Sequence, residues 1–128
     1  MKPGSHLVLA AAARRYLPLM ALLALSLFVT RAPGSAVGLL AGMVFALALG
    51  LHALVFGAHA ARAAFPPLAA RVGLASGLLA ALGSVFAPSL DGAGQLSELG
   101  LFVATASGAA LTLTVLMGRA PTLNDEDW

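Results

Sequence analysis

The chain contains no cysteine among its 128 residues. That excludes disulfides, thiolate nucleophiles and cysteine metal sites, and it leaves the redox compartment unmarked. Charge is nearly as scarce: Asp, Glu, Lys and Arg together make up 9% of the residues, where a soluble domain carries about a quarter. Aromatic residues make up only 6%, and the seven Lys and Arg residues sit at the ends of apolar stretches. Without a basic patch interleaved with aromatics, the net charge of +2 does not point to nucleic acid as a partner. No nucleophile, base and orienter arrangement occurs, and no glycine loop able to cradle phosphate. Gly92 and Gly94 follow no strand and have no basic residue nearby, so they read as a turn. No enzymatic activity and no cofactor are expected.

Apolar residues fill the space. The chain is 60% hydrophobic, with a mean hydropathy of +0.96, the composition of an integral membrane protein. Four apolar stretches run from about Ala12 to Thr30, Gly34 to Gly57, Leu68 to Ala87 and Leu96 to Gly118. Crossing about 30 Å of hydrocarbon takes about 20 helical residues, which predicts an all-α membrane protein with one domain of four transmembrane helices over residues 1–118. The first stretch is the shortest. Arg14 and Arg15 can snorkel to the interface and let Ala10–Ala13 join the span, and Pro18 then falls near the helix start. A cleaved signal peptide with Arg14 and Arg15 as its basic region is the competing reading, and Arg31 and Pro33 fit poorly where small cleavage-site residues belong.

Lys2, Arg14, Arg15, Arg62, Arg71 and Arg119 fall on one side of such a four-span layout and only Arg31 on the other. By the positive-inside rule both termini are expected in the cytoplasm; the expected location is the cell inner (plasma) membrane. The outer loops are then Arg31–Pro33 and Pro88–Gln95, and the inner loop runs from Ala58 to Pro67. Residues 119–128 end in Asp125, Glu126, Asp127 and Trp128, which reads as a solvated acidic tail, or as one anchored by its tryptophan.

Small residues recur every fourth position: Gly34, Gly38, Gly42, Ala46 and Gly50 in the second stretch, Ala69, Gly73, Gly77 and Ala81 in the third, and Gly100, Ala104, Gly108 and Thr112 in the fourth. Such stripes let two helices approach closely, which matters in lipid because leaving it gives apolar side chains no hydrophobic gain. The contact can be made within the chain or with a helix of another subunit.

Glu98 is the one acid against a membrane-length apolar run, since no charged residue follows until Arg119. With Thr105 and Thr112 at seven-residue spacing it forms a polar seam, a candidate ion path. The structural alternative makes Ser97 an N-cap and Glu98 the first helical residue, with the threonines bonding back to their own backbone. His52 lies inside the second stretch and His59 seven residues on, on the same helical face. Their separation of about 10 Å is too large for one metal ion, so no metal site is expected. His52 is read as an interhelical hydrogen-bonding residue or, alternatively, a proton relay. Glu98 belongs near the outer face and His52 near the inner one.

Leu17-Pro18-Leu19, Ala32-Pro33-Gly34 at the outer turn, the glycine-rich second stretch and Glu98-Leu99-Gly100-Leu101-Phe102 together resemble the MrpB (MnhB) family, the small membrane subunit of multisubunit sodium/proton antiporters. The resemblance covers about Leu17 to Gly118. Thr30, Arg31, Ser35, Ala36 and Val37 depart from the polar pair, glycines and aromatic found around that turn in the family, and Glu98 stands where aspartate is usual. The resemblance implies a noncatalytic subunit that packs against other membrane subunits and borders a route for Na+ or H+. Membership of a related ion-translocating complex is equally in keeping with these departures. A small autonomous homodimeric transporter is the alternative, and such exporters need a carboxylate in the first helix, which is missing here.

Overall fold

The structure is a computed structural model that describes residues 3–30 and 36–117. The Ala32-Pro33-Gly34 turn and the acidic tail 119–128 lie outside the described residues. Five helices follow in order: α1 (Pro3–Thr30), α2 (Val37–Phe56), α3 (Ala58–Ala64), α4 (Pro67–Phe86) and α5 (Ala93–Met117). Four of them contain spans long and apolar enough to cross a membrane, Leu7–Thr30, Val37–Phe56, Pro67–Phe86 and Ala93–Met117. The chain is an all-α, multi-pass membrane protein.

Three expectations are corrected. The first helix does not begin near Ala12 but runs for 28 residues from Pro3, because the alanines before Arg14, the best helix formers, continue it beyond the arginines. Pro18 therefore lies inside α1 and not near its start. The segment from Ala58 to Pro67, read as a loop, contains α3. Gly57 separates it from α2 at φ 94°, ψ 164°, a conformation essentially reserved for glycine, and Pro66 with Pro67 at the first turn of α4 ends it. The last helix begins at Ala93, earlier than Leu96, just after Gly92 turns at φ 89°.

The helices form an open row and not a closed bundle. α1 packs on α2, α2 on α5 and α5 on α4, whereas α1 and α4 form no packed pair. α2 and α5 run parallel: Gly38 faces Glu98, Gly42 faces Phe102 and Thr105, and Gly50 faces Leu113. α4 runs against α5, with Gly73 at Ser107 and Gly77 at Gly100 and Ala104. The last helix in sequence thus stands third in the row. To reach α4 the chain passes under the end of α5 through α3, which packs on α2 and touches α5. There Ala61, Arg62 and Phe65 approach Ala110, Thr114 and Met117.

The interior is built of small side chains. Ala24, Ala41, Ala53, Ala70, Ala104, Ala106 and Ala110 are buried, whereas Leu22, Leu47, Leu79 and Val115 face outward. This inversion of the soluble pattern suits a solvent as apolar as leucine, in which backbone proximity and van der Waals packing hold helices together.

Candidate functional site

Glu98 is buried, only 8% exposed, and its place overturns the reading of it as the first residue of its own helix. Since α5 starts at Ala93 and Leu96 already donates its N–H to the Gly92 carbonyl at 2.9 Å, Glu98 stands more than a turn inside. The helix end it serves is that of α2. The Gly38 N–H donates to Glu98 Oε2 at 2.6 Å. The chain enters α2 through Ala36 in the left-handed region (φ 56°, ψ 27°), whose methyl side chain offers no capping acceptor. The first N–H groups of a helix have no intrahelical acceptor and carry the positive end of its dipole, so a carboxylate from the parallel neighbour satisfies both needs. Gly38 permits the approach: a Cβ there would collide with the Glu98 carbonyl oxygen and stand 2.9 Å from Oε2.

Below Glu98 the seam continues along α2. Thr105 closes against Gly42, where an added Cβ would lie 2.7 Å from the threonine Cβ. Further along, the two helices part, and Thr105 and Thr112 line a groove of about 640 Å³ with Met43, Leu47, Gly50 and Leu54. The Thr112 hydroxyl donates to the Gly108 carbonyl at 2.8 Å, the local back-bond of the structural alternative. Glu98, Thr105 and Thr112 therefore do share the α2 side of α5, but they differ in kind: a buried cap, a packing contact and a self-satisfied hydroxyl.

Sequence reasoning missed the aromatic junction beside this seam. Phe102, one turn from Glu98, lies 5.5 Å from Phe28 of α1 and 6.1 Å from Phe45 of α2, ring centre to ring centre. Three phenylalanines from three helices, tilted or edge-on as aromatic pairs prefer, tie the row together at that level. The four-residue spacing of Glu98 and Phe102 placed them near one another, but nothing in the sequence linked Phe28 to Phe45.

His52 lies fourteen residues beyond Gly38 on α2, about 21 Å along the axis, so it and Glu98 stand apart as expected. Its ring contact is with Phe56, 5.0 Å away, in place of the expected interhelical hydrogen bond. The Arg14 guanidinium lies 5.8 Å from the centre of the same Phe56 ring. His59 does not continue the face of His52, because the break at Gly57 puts it on α3. Among the described residues no three His, Asp or Glu side chains are grouped so as to hold a metal ion.

The glycines divide into two sets. Gly38 and Gly42 meet α5, Gly73 and Gly77 meet α5, and Gly100 meets α4, each so closely that a Cβ would come within 2.9 Å of a neighbouring atom. Gly50 and Gly108 merely touch leucine ends of Leu113 and Leu74 at 3.9 and 3.8 Å. Gly34 lies outside the described residues. Those five glycines thus make their close approaches to helices of the same chain. No family model, curated protein or solved structure matches this chain.

Proposed function

We propose that the chain is a noncatalytic subunit of a multisubunit cation/proton antiporter or a related ion-translocating complex, set in the cell inner membrane with both termini cytoplasmic and packed against partner subunits. The observation that carries the reading is Glu98, a carboxylate buried within a membrane-length helix and turned toward protein instead of lipid. Ionisable groups within membrane-spanning segments are rare, and those that face protein mark ion or proton routes by default. The resemblance to the MrpB family points the same way. So does the open row, whose outer helices leave broad apolar faces for neighbours. Na+ and H+ are the ions to test. An autonomous homodimeric transporter fits less well, since the α1 sequence carries no Asp or Glu.

A second reading has its own observation. The Gly38 N–H bond gives Glu98 a sufficient architectural task, and a subunit serving only assembly would need nothing more. Glu98→Gln separates the two, because the amide oxygen still accepts from Gly38 while the charge is gone. Transport by the intact complex should fall severalfold while partner subunits still copurify with the tagged chain. Unchanged transport would leave the assembly role, and recovery of this chain alone as a stable dimer would overturn the subunit reading.

A further inference from the structure

At the other end of the row from Glu98, α1 and α2 part around a groove of about 400 Å³ lined by Arg14, Leu17, Pro18, His52, Phe56 and Ala60. We propose that this groove binds one anionic phospholipid, with the phosphodiester at Arg14 and an acyl chain along Leu17 and Pro18.

Depth is the first argument. α2 has 20 residues, about 30 Å, the thickness of the hydrocarbon layer. Phe56 closes that helix, and Arg14 lies over the Phe56 ring. The guanidinium is therefore level with the hydrocarbon boundary, next to the layer that phospholipid phosphates occupy. His52 is one turn deeper, where glycerol ester carbonyls lie, and the Leu17 and Pro18 walls lead on into the apolar layer.

Charge is the second. The acids among the described residues are Asp91 and Glu98, at the turn between α4 and α5 and in the first turns of α5, the far end of the row. Arg14 thus faces the groove with no acidic partner among the described residues, and Arg15 on α1, Arg62 on α3 and Arg71 in the first turns of α4 lie toward the same membrane face. Basic pockets between transmembrane helices take acidic headgroups, and a guanidinium matches two phosphate oxygens at once. The Phe56 ring beneath it holds the cation toward the opening by a cation–π contact. An amphiphile matches both halves of the groove, whereas a soluble anion would leave the apolar walls uncovered.

The test is native mass spectrometry of the full chain released from micelles holding equal amounts of phosphatidylglycerol and phosphatidylcholine. The wild type should retain one lipid with about tenfold preference for phosphatidylglycerol, the worth of a charged hydrogen bond. Arg14→Gln should abolish the preference, Arg14→Lys should keep part of it, and Arg15→Gln, which removes the same charge outside the groove, should keep most of it. Fractions that elute as the wild type does are compared, so that misfolding does not enter. Absence of preference in the wild type, or equal losses from Arg14→Gln and Arg15→Gln, would overturn the site. So would a large gain in bound phosphatidylglycerol on removing residues 119–128, because the acids Asp125, Glu126 and Asp127 would then be the occupant.

Discussion

The inner pair of the row, α2 and α5, and the outer pair, α1 and α4, are made of similar residues and put to different use. Over an 18-residue stretch of each, 28% of the residues of α2 and of α5 are buried, against 17% in α4 and 11% in α1. The inner pair is also the more apolar, but apolar content alone does not make the difference, since leucines and valines face outward on all four. It comes from where backbone can touch backbone. α5 presents Gly100 to α4 on one side and Glu98 to Gly38 of α2 on the other, so it is held on two faces and each outer helix on one. In a membrane the decision between core and periphery is thus made by the smallest residues and one carboxylate.

The sharpest way to break this contrast is to enlarge a glycine on each kind of surface of one helix. Gly77→Leu would put its Cβ 2.6 Å from the Ala104 nitrogen and 2.8 Å from the Gly100 carbonyl, backbone atoms that cannot swing aside. The expected loss is about 3 kcal/mol or more, read as a lower midpoint of unfolding in mixed micelles. Gly83, on the same helix, has nothing within 4 Å of its Cβ position, and Gly83→Leu should change the stability read in this way by less than about 0.5 kcal/mol. Equal effects would erase the distinction between inner and outer faces. If Gly83→Leu spares the chain's stability but prevents copurification of partners, that face of α4 is where a neighbour sits.

Glu98→Ala should destabilise by about 2 kcal/mol, since the Gly38 N–H is left buried without its acceptor, and Glu98→Gln by less than about 1 kcal/mol. The same unfolding measurement checks both, and equal losses would mean that charge rather than the accepted hydrogen bond matters at the α2 end. Gly57→Ala tests the break between α2 and α3. A methyl at φ 94°, ψ 164° should cost about 1 to 2 kcal/mol in backbone strain. The smallest effect belongs to Thr112→Val, whose hydroxyl bonds only to its own helix. A shift within about 0.5 kcal/mol is expected, and a larger one would show that the seam matters to packing along its whole length.

The four spans could be read in the sequence because length and apolar composition carry that signal, and the glycine stripes could be read because their spacing does. Boundaries were harder where two signals compete. Arg14 and Arg15 mark a membrane edge without stopping a helix, so a reading based on hydropathy cut α1 short while alanine propensity carried it on. α3 is too brief and too mixed, Ala58-His59-Ala60-Ala61-Arg62-Ala63-Ala64, to show a period. Ser97 looked like a cap because the residue type is right. The turn at Gly92 came first, and the acid after Ser97 was left to cap another helix. Capping chemistry could be anticipated from Glu98, but its address could not: four alternating spans make α2 and α5 parallel, and nothing in the chain says that they will lie side by side. The order of the row was hidden for the same reason: three stripes of like residues can be paired in several ways.

The crossing of α3 beneath α5 bears on how the protein is made. Chains emerge from the ribosome from their N-terminal end, so α2 and α4 enter the membrane before the helix that belongs between them exists. Until α5 arrives, the glycine face of α2 and that of α4 look onto lipid or onto each other, and the α2 end lacks its carboxylate. α5 then closes both sides in one step, as a keystone does an arch. An intermediate halted before α5 would hold two exposed close-packing faces, the surfaces on which a membrane chaperone or a premature partner would act.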